Sequence, residues 1–247
     1  LLKKANVRVI KGKGELSADK RVKVNGDVLE AENVVIATGS EPAQLLGTDG
    51  KNVITSDEAL NLREMPETIA IVGAGPIGIE FATYFASFSV KVKVLEMMDH
   101  VLPPLNDRKT TSLLASALKH RGIELMTGSK IERIEKEEKV TAVLSNGNRI
   151  SADKALISIG RKFNSSDMEA QDIRTEKGRI VVNERMETSA AGIYAIGDVT
   201  GGLMLAHKAM HEGLVAAENI AGRASTMDYS IIPSVVYSKP EVEWIGM

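Results

Sequence analysis

Six consecutive positions, Gly73-Ala74-Gly75-Pro76-Ile77-Gly78, fit the pattern G-x-G-x-x-G. Glycines so spaced arise by chance, so their neighbours decide what they mean. An apolar run, Ile69 to Val72, leads in as a strand. A segment with apolar residues at Ile77, Phe81, Tyr84, Phe85 and Phe88 leads out at close to a helical period. In that strand–turn–helix setting the first glycine permits a tight turn. The second lets backbone approach a pyrophosphate, and the third lets helix and strand pack closely. The helix start, with Pro76 near its first position and Ile79 and Glu80 in its first turns, offers backbone N–H groups to phosphate oxygens. The next strand, Val90 to Leu95, ends in Glu96, 18 residues after Gly78. A carboxylate there accepts hydrogen bonds from both adenine-ribose hydroxyls and repels a 2′-phosphate, which points to NAD rather than NADP. Met97 and Met98 stand where an NADP site would offer basic side chains. Glu80 reads equally as a solvated acid near a helix N-terminus and as a group near the nicotinamide.

A second short strand, Ile193 to Ile196, ends in Gly197-Asp198 and leads through Gly201-Gly202 into an apolar helix from about Leu205 to Ala221. The four histidines, His100, His120, His207 and His211, show no metal-ligand spacing with acidic partners, and no metal site is expected. No Ser/His/Asp array emerges either. The chain of 247 residues has 31 Lys+Arg against 33 Asp+Glu, a net charge of −2, 43% hydrophobic residues and no cysteine. That balance argues against nucleic-acid binding. No apolar run reaches the roughly 20 residues of a membrane helix, and no signal peptide is visible, so a cytoplasmic location is expected. Without cysteine there is no disulfide, thiolate metal site or thiol chemistry within the chain.

Strand-like and helix-like segments alternate as in an α/β protein. Val7 to Ile10 and Arg21 to Val24 read as short strands, and Val34 to Ala37 as a strand buried on both faces. A second helix carries Leu113, Leu114, Ala117 and Leu118. Polar-alternating strands around Ile131 to Ile134 and Val140 to Leu144 follow, with an Asn146-Gly147 hairpin turn and a buried strand, Ala155 to Ile159, ending in Gly160. The stretch from Asn25 to Gly39 lies on that from Asn146 to Gly160 without a gap, at a constant offset of 121 residues. Asn25-Gly26, Ala31, Ile36 and Gly39 recur identically. Duplication and chance likeness of two antiparallel excursions both remain open here. A duplication predicts that a first glycine-rich turn lies upstream of Leu1. The chain would then be a central piece of a longer protein.

Taken together, several pieces resemble the pyridine nucleotide–disulfide oxidoreductase family, and within it the dihydrolipoamide dehydrogenase branch. They are Ala37-Thr38-Gly39-Ser40, the Gly73 to Glu80 turn with Glu96, Ile159-Gly160-Arg161, and Tyr194 to Asp198. Met204-Leu205-Ala206-His207-Lys208-Ala209 and the run from Ile232 to Val242 complete the set. The resemblance implies a Rossmann-like, three-layer NAD-binding domain with an antiparallel β excursion (67–160) between parts of a related FAD-binding domain (1–66 and 161–229). The start of a dimerisation domain (230–247) would follow, its apolar residues left uncovered. It places Gly73 to Glu80, Glu96, Ile131 and Gly160 around NAD. It places Thr38, Gly39, Ser40, Asp198 and Met204 to His207 around FAD. It also implies electron transfer from a dithiol through FAD to NAD, a homodimer, and a lipoyl-bearing partner protein. The family's redox cysteine pair, its His–Glu pair and its first FAD turn are absent from the chain, so no catalytic residue is expected in it. Phe163 stands where the family usually has proline. Another disulfide or mercuric reductase of the family, and a non-catalytic NAD-binding module, are the alternatives.

Overall fold

The computed structural model describes residues 2–17, 19–44, 47–166, 168 and 171–246. By its contacts the chain divides into two units, one of residues 42–162 and 233–247, the other of residues 1–41 and 163–232.

The first unit is built on a five-stranded sheet in which every pairing is parallel. From edge to edge its strands are Val53–Ile54, Lys154–Ile157, Thr68–Val72, Lys91–Leu95 and Glu124–Met126. Side chains alternate across a strand, and here the alternation sorts the core into two halves. Ile54, Ile69, Ile71, Val92, Val94 and Leu156 face the helices Pro76–Ser87 and Arg108–His120, joining Ile79, Phe85, Leu114 and Leu118. Val53, Val72, Ala155 and Ile157 face the other way, toward Val140, and Leu95 packs with Ala142 and Leu144. Those partners come from an antiparallel sheet of Ile131–Lys136, Val140–Leu144 and Arg149–Ala152. The result is three layers: helices, parallel sheet, antiparallel excursion. Asp153 ties two central strands at their starts, its Oδ2 accepting from both the backbone N–H and the hydroxyl of Thr68 at 2.8 Å.

The helix faces differ from the sequence reading. Along Pro76–Ser87 the buried residues are Gly78, Ile79, Ala82, Thr83 and Phe85, whereas Tyr84 and Phe88 are exposed, their rings 5.1 Å apart and tilted by 58°. Leu113 on the second helix is likewise exposed. A continuous apolar run fits more than one helical stripe, and contact with the sheet selects only one. The hairpin of Pro233–Val236 and Val242–Ile245 belongs to this unit, with Val236 and Val242 in its core. Those two are therefore covered, against expectation, while Tyr237 and Ile245 are exposed.

In the second unit Glu15–Leu16, Arg21–Val24 and Asp27–Glu30 form a small antiparallel sheet, and Val34–Ile36 pairs in parallel with Ile193–Ala195. Val7 to Ile10 is not a strand. No ladder accepts it, Val7 and Val9 are exposed, and Asn6 turns the chain with φ 55°. Val35 is also exposed, so the Val34–Ile36 strand is not buried on both faces. The helix Ala206–Ile220 packs Val215 and Ala216 against Tyr194 and Met186.

The two similar stretches share their order of elements but not their turns. Asn25 and Gly26 both take positive φ, 53° and 91°, in a two-residue hairpin that sets Val24 opposite Asp27. Around Asn146-Gly147 only Gly147 does so, in a longer loop that sets Val143 opposite Arg149. The pairing register accordingly differs by one residue between the two hairpins.

Candidate dinucleotide sites

The glycine-rich turn joins the carboxyl end of Thr68–Val72 to the helix that begins at Pro76. Gly73 has φ 102°, and a Cβ on it would lie 2.6 Å from the carbonyl oxygen of Ser158. A Cβ on Gly78 would lie 2.0 Å from the carbonyl oxygen of Gly73. Both positions exclude any side chain, one by turn geometry and the other by helix–turn contact. Gly75 is different: a Cβ there would meet nothing within 4 Å. Its bareness serves no packing need inside the protein and leaves space for a ligand. Gly75 is also the N-cap residue, and no side chain caps the helix, so first-turn N–H groups of Ile77 and Gly78 are left to an outside acceptor. Ala74 is fully buried and fixes the turn from below. An anionic pyrophosphate fits this cradle.

Glu96 follows the adjacent strand and is 7% exposed. Its Oε2 accepts from the Ala74 N–H at 2.7 Å and its Oε1 from the Met98 N–H at 2.8 Å. The carboxylate thus bridges the turn and its own loop, held in one orientation at the strand ends where α/β sheets bind nucleotides. Met97 and Met98 are exposed beside it. The nearby cation Arg108 is engaged by Asp99, at 2.9 and 3.1 Å, and with His100 it lowers the Asp99 carboxyl to about 2. Gly160, with φ 128°, lies at the end of the neighbouring strand with open space around its Cα, and Ile159 beside it is exposed. Ile131 sits at a register shift of its strand and packs toward Leu95, Ala142 and Leu144. Glu80 accepts the backbone N–H of Tyr237 at 3.0 Å, a contact with the hairpin that neither sequence reading contains.

In the other unit Thr38 donates from its hydroxyl to the carbonyl of Asn164 at 2.6 Å, and Asn164 donates back to the carbonyl of Thr38 at 3.0 Å. Gly39 has φ 69° and open space where a Cβ would stand. Ser40 donates to Asp198 Oδ2 at 2.6 Å, so two residues 158 positions apart form one polar pair. Asp198 lies in the short helix Gly197–Thr200. Met204 and Ala206 are exposed and His207 half-buried, with Leu205 as an N-cap that lends no side-chain hydrogen bond. A bare glycine beside a hydroxyl–carboxylate pair suits the polyhydroxy chain of a flavin nucleotide.

Two residues to which the sequence reading gave no role lie under this loop. Lys208 and Glu212, one turn apart on the helix, are both fully buried and paired at 3.1 Å. Lys208 donates to the carbonyl of Gly197 at 3.0 Å, and Glu212 accepts the Gly197 N–H at 2.7 Å. Both backbone polar groups of Gly197, the residue before Asp198, are thereby clipped. Tyr229 donates its hydroxyl to Glu212 at 2.7 Å, and burial, followed by that bond, raises the phenol above its ordinary value. The available signal was the i, i+4 spacing of opposite charges.

Each unit thus carries one candidate nucleotide site of this form. The sequence profile described as pyridine nucleotide-disulphide oxidoreductase matches residues 1–213. The chain belongs to that family, whose cofactors are FAD and a pyridine nucleotide. It is 42% identical to dihydrolipoyl dehydrogenase of Bacillus subtilis over 245 residues, covering 95% of this chain and 52% of that protein. It is 36% identical to that of Chlamydia pneumoniae, covering 100% and 55%. Among solved structures, LpdA of Mycobacterium tuberculosis superposes with a TM-score of 0.91 at 29% identity, over 100% of this chain and 57% of that one. The HOCl-induced flavoprotein disulfide reductase RclA of Escherichia coli gives 0.88 at 30%, over 98% and 57%. The chain thus spans about half the length of the curated relatives it matches. Among the described residues no group of three or more His, Asp or Glu could hold a metal, and no helix is long and apolar enough to cross a membrane.

Proposed function

We propose that this chain is the NAD- and FAD-binding portion of a dihydrolipoyl dehydrogenase. In this reading residues 67–160 hold NAD, through Gly73 to Glu80, Glu96, Ile131 and Gly160. Residues 1–66 and 161–229 hold FAD, through Thr38 to Ser40, Asp198 and the helix start at Met204 to His207, and 230–247 begins an interface domain. The flavin, when bound, supplies the two-electron chemistry that links a dithiol to NAD. The residues of this chain bind and orient: Glu96 takes the adenine ribose, the turn takes the pyrophosphate, and Asp198 takes the ribityl–phosphate arm. The uncapped helix start at Ala206 presents its dipole to a ligand that gains negative charge on reduction. With no cysteine in its 247 residues, the chain relies on a dithiol from outside them. A homodimer, a lipoyl-bearing partner and a cytoplasmic location complete the proposal.

The observation that carries it is the contrast among the three glycines, two closed by protein and Gly75 open, beside a Glu96 held in place. Calorimetric titration of the chain with NADH and NADPH tests it, with NADH expected to bind the more tightly. A preference for NADPH, or no binding of either, overturns it. The likeness to RclA favours a second reading, a disulfide reductase of the same family acting on another substrate. Dihydrolipoamide-dependent NAD reduction by a preparation that includes the redox cysteine pair separates the two.

A further inference from the structure

Ser158 is at the junction of everything that shapes the turn, although no motif singles it out. Its hydroxyl lies 2.8 Å from the carbonyl oxygen of Val72 and 3.1 Å from that of Gly73. Its N–H donates to Val72 at 2.9 Å. Its own carbonyl oxygen is the atom that a Cβ on Gly73 would strike, at 2.6 Å, and its Oγ is 2.8 Å from where a Cβ on Gly78 would stand. The space that the first and third glycines leave is therefore filled by one serine just past the end of the strand Lys154–Ile157, far along the chain. From the other side the Gly73 N–H donates to Leu95 at 2.8 Å, so the Gly73 peptide is held from both neighbouring strands. Two residues after Ser158 the chain reaches Gly160, with φ 128°.

We propose that Ser158 is the positioning residue of the pyrophosphate turn: hydrogen-bonded to the carbonyls of Val72 and Gly73 and seated against Gly73 and Gly78, it sets the direction in which the helix-start N–H groups face the ligand. This rests on the dinucleotide reading above. The hydroxyl has one proton and two carbonyls within reach. Its removal leaves the Gly73–Ala74 peptide unit held at its N–H end alone, by Glu96, and the peptide units that follow lose part of their fixed direction. Glu96, which would hold the adenosine end, accepts from the other end of that same peptide unit, the Ala74 N–H, and keeps this bond and the one from Met98 when the Ser158 hydroxyl is lost.

The test is Ser158→Ala in the whole chain, with calorimetric binding of NADH, ADP-ribose and adenosine. NADH and ADP-ribose both carry the pyrophosphate, and adenosine does not. Affinity for the first two is expected to fall by roughly 3- to 10-fold, the net worth of one hydrogen bond, with adenosine unchanged. Amide exchange at Gly73 and Ala74, whose N–H groups donate to Leu95 and Glu96, is expected to quicken without ligand. Equal losses for all three ligands would show that Ser158 merely supports the unit, and unchanged affinity for all three would show no role; either overturns the proposal. If wild-type chain binds neither NADH nor ADP-ribose, the dinucleotide reading has failed instead and takes this inference with it. Ser158→Cys, which keeps the shape but weakens the donor, gives the same comparison should the alanine variant unfold.

Discussion

Gly75 and Gly78 belong to one motif and should fail in opposite ways. An alanine at 75 meets no protein atom, and the φ of −70° there suits any residue. Gly75→Ala should therefore keep or slightly raise the melting temperature while weakening NADH binding at least tenfold, because the methyl group takes ligand space. Gly78→Ala forces a carbon to 2.0 Å from backbone and should destabilise the fold itself, by more than about 2 kcal/mol. Thermal melts beside calorimetry separate the two, and equal melting losses in both variants would contradict the assignment. Glu96→Gln replaces one accepting oxygen by an amide, so a bond to Ala74 or Met98 goes with it. NADH should weaken by about 1–3 kcal/mol, and the NADH:NADPH ratio should narrow. The glycines and Glu96 are legible in the sequence because their roles depend on local spacing. Ser158 is not, because its role exists only once two distant strands have paired.

At the scale of elements, the helix Ala206–Ile220 shows where pattern reading stops. Its extent matches the apolar period closely, yet Lys208 and Glu212, polar by type, are fully buried on it. Hydropathy assigns such residues to solvent, and only the clipped backbone of Gly197 explains their burial. The exposed Tyr84, Phe88 and Leu113 are the converse case, apolar residues with no sheet to cover them in this chain. Lys208→Met would leave the Glu212 carboxylate buried without its cation, at a cost of about 3–5 kcal/mol, visible in urea unfolding. Tyr229 adds a pH dependence whose sign follows from its raised phenol. Below pH 10, the ordinary tyrosine value, both folded and unfolded states keep the proton and the bond to Glu212 contributes in full. Above it the unfolded chain ionises first, so stability falls as pH rises. Tyr229→Phe should flatten the loss above about pH 10 relative to wild type; parallel curves would show that the phenol is not held as described.

The whole molecule is two units whose segments interleave, the chain passing between them after residues 41, 162 and 232. The alternation of strands and helices follows from the period, and the three layers from the family resemblance. The membership of short pieces does not. Val53–Ile54 is only two residues long, too short to show a period, yet it forms an edge of the parallel sheet. The final hairpin has a strand's pattern but no sequence signal for its seat, which is the core around Ile79 and Phe85, with Tyr237 tied to Glu80. Removing residues 233–247 takes Val236 and Val242 from that core and frees Glu80. At about 1.5–3 kcal/mol for each buried valine the unit should lose roughly 3–6 kcal/mol, an upper range since the surface left behind can partly close. Amide exchange in Thr68–Val72 should accelerate accordingly, while Val34–Ile36 and Ile193–Ala195 keep their protection. NADH at a hundred times its dissociation constant should restore about 2.7 kcal/mol to the shortened chain, and only in the unit that holds the glycine turn. Protection spreading to Ile193–Ala195 with NADH would show that the nucleotide is bound elsewhere.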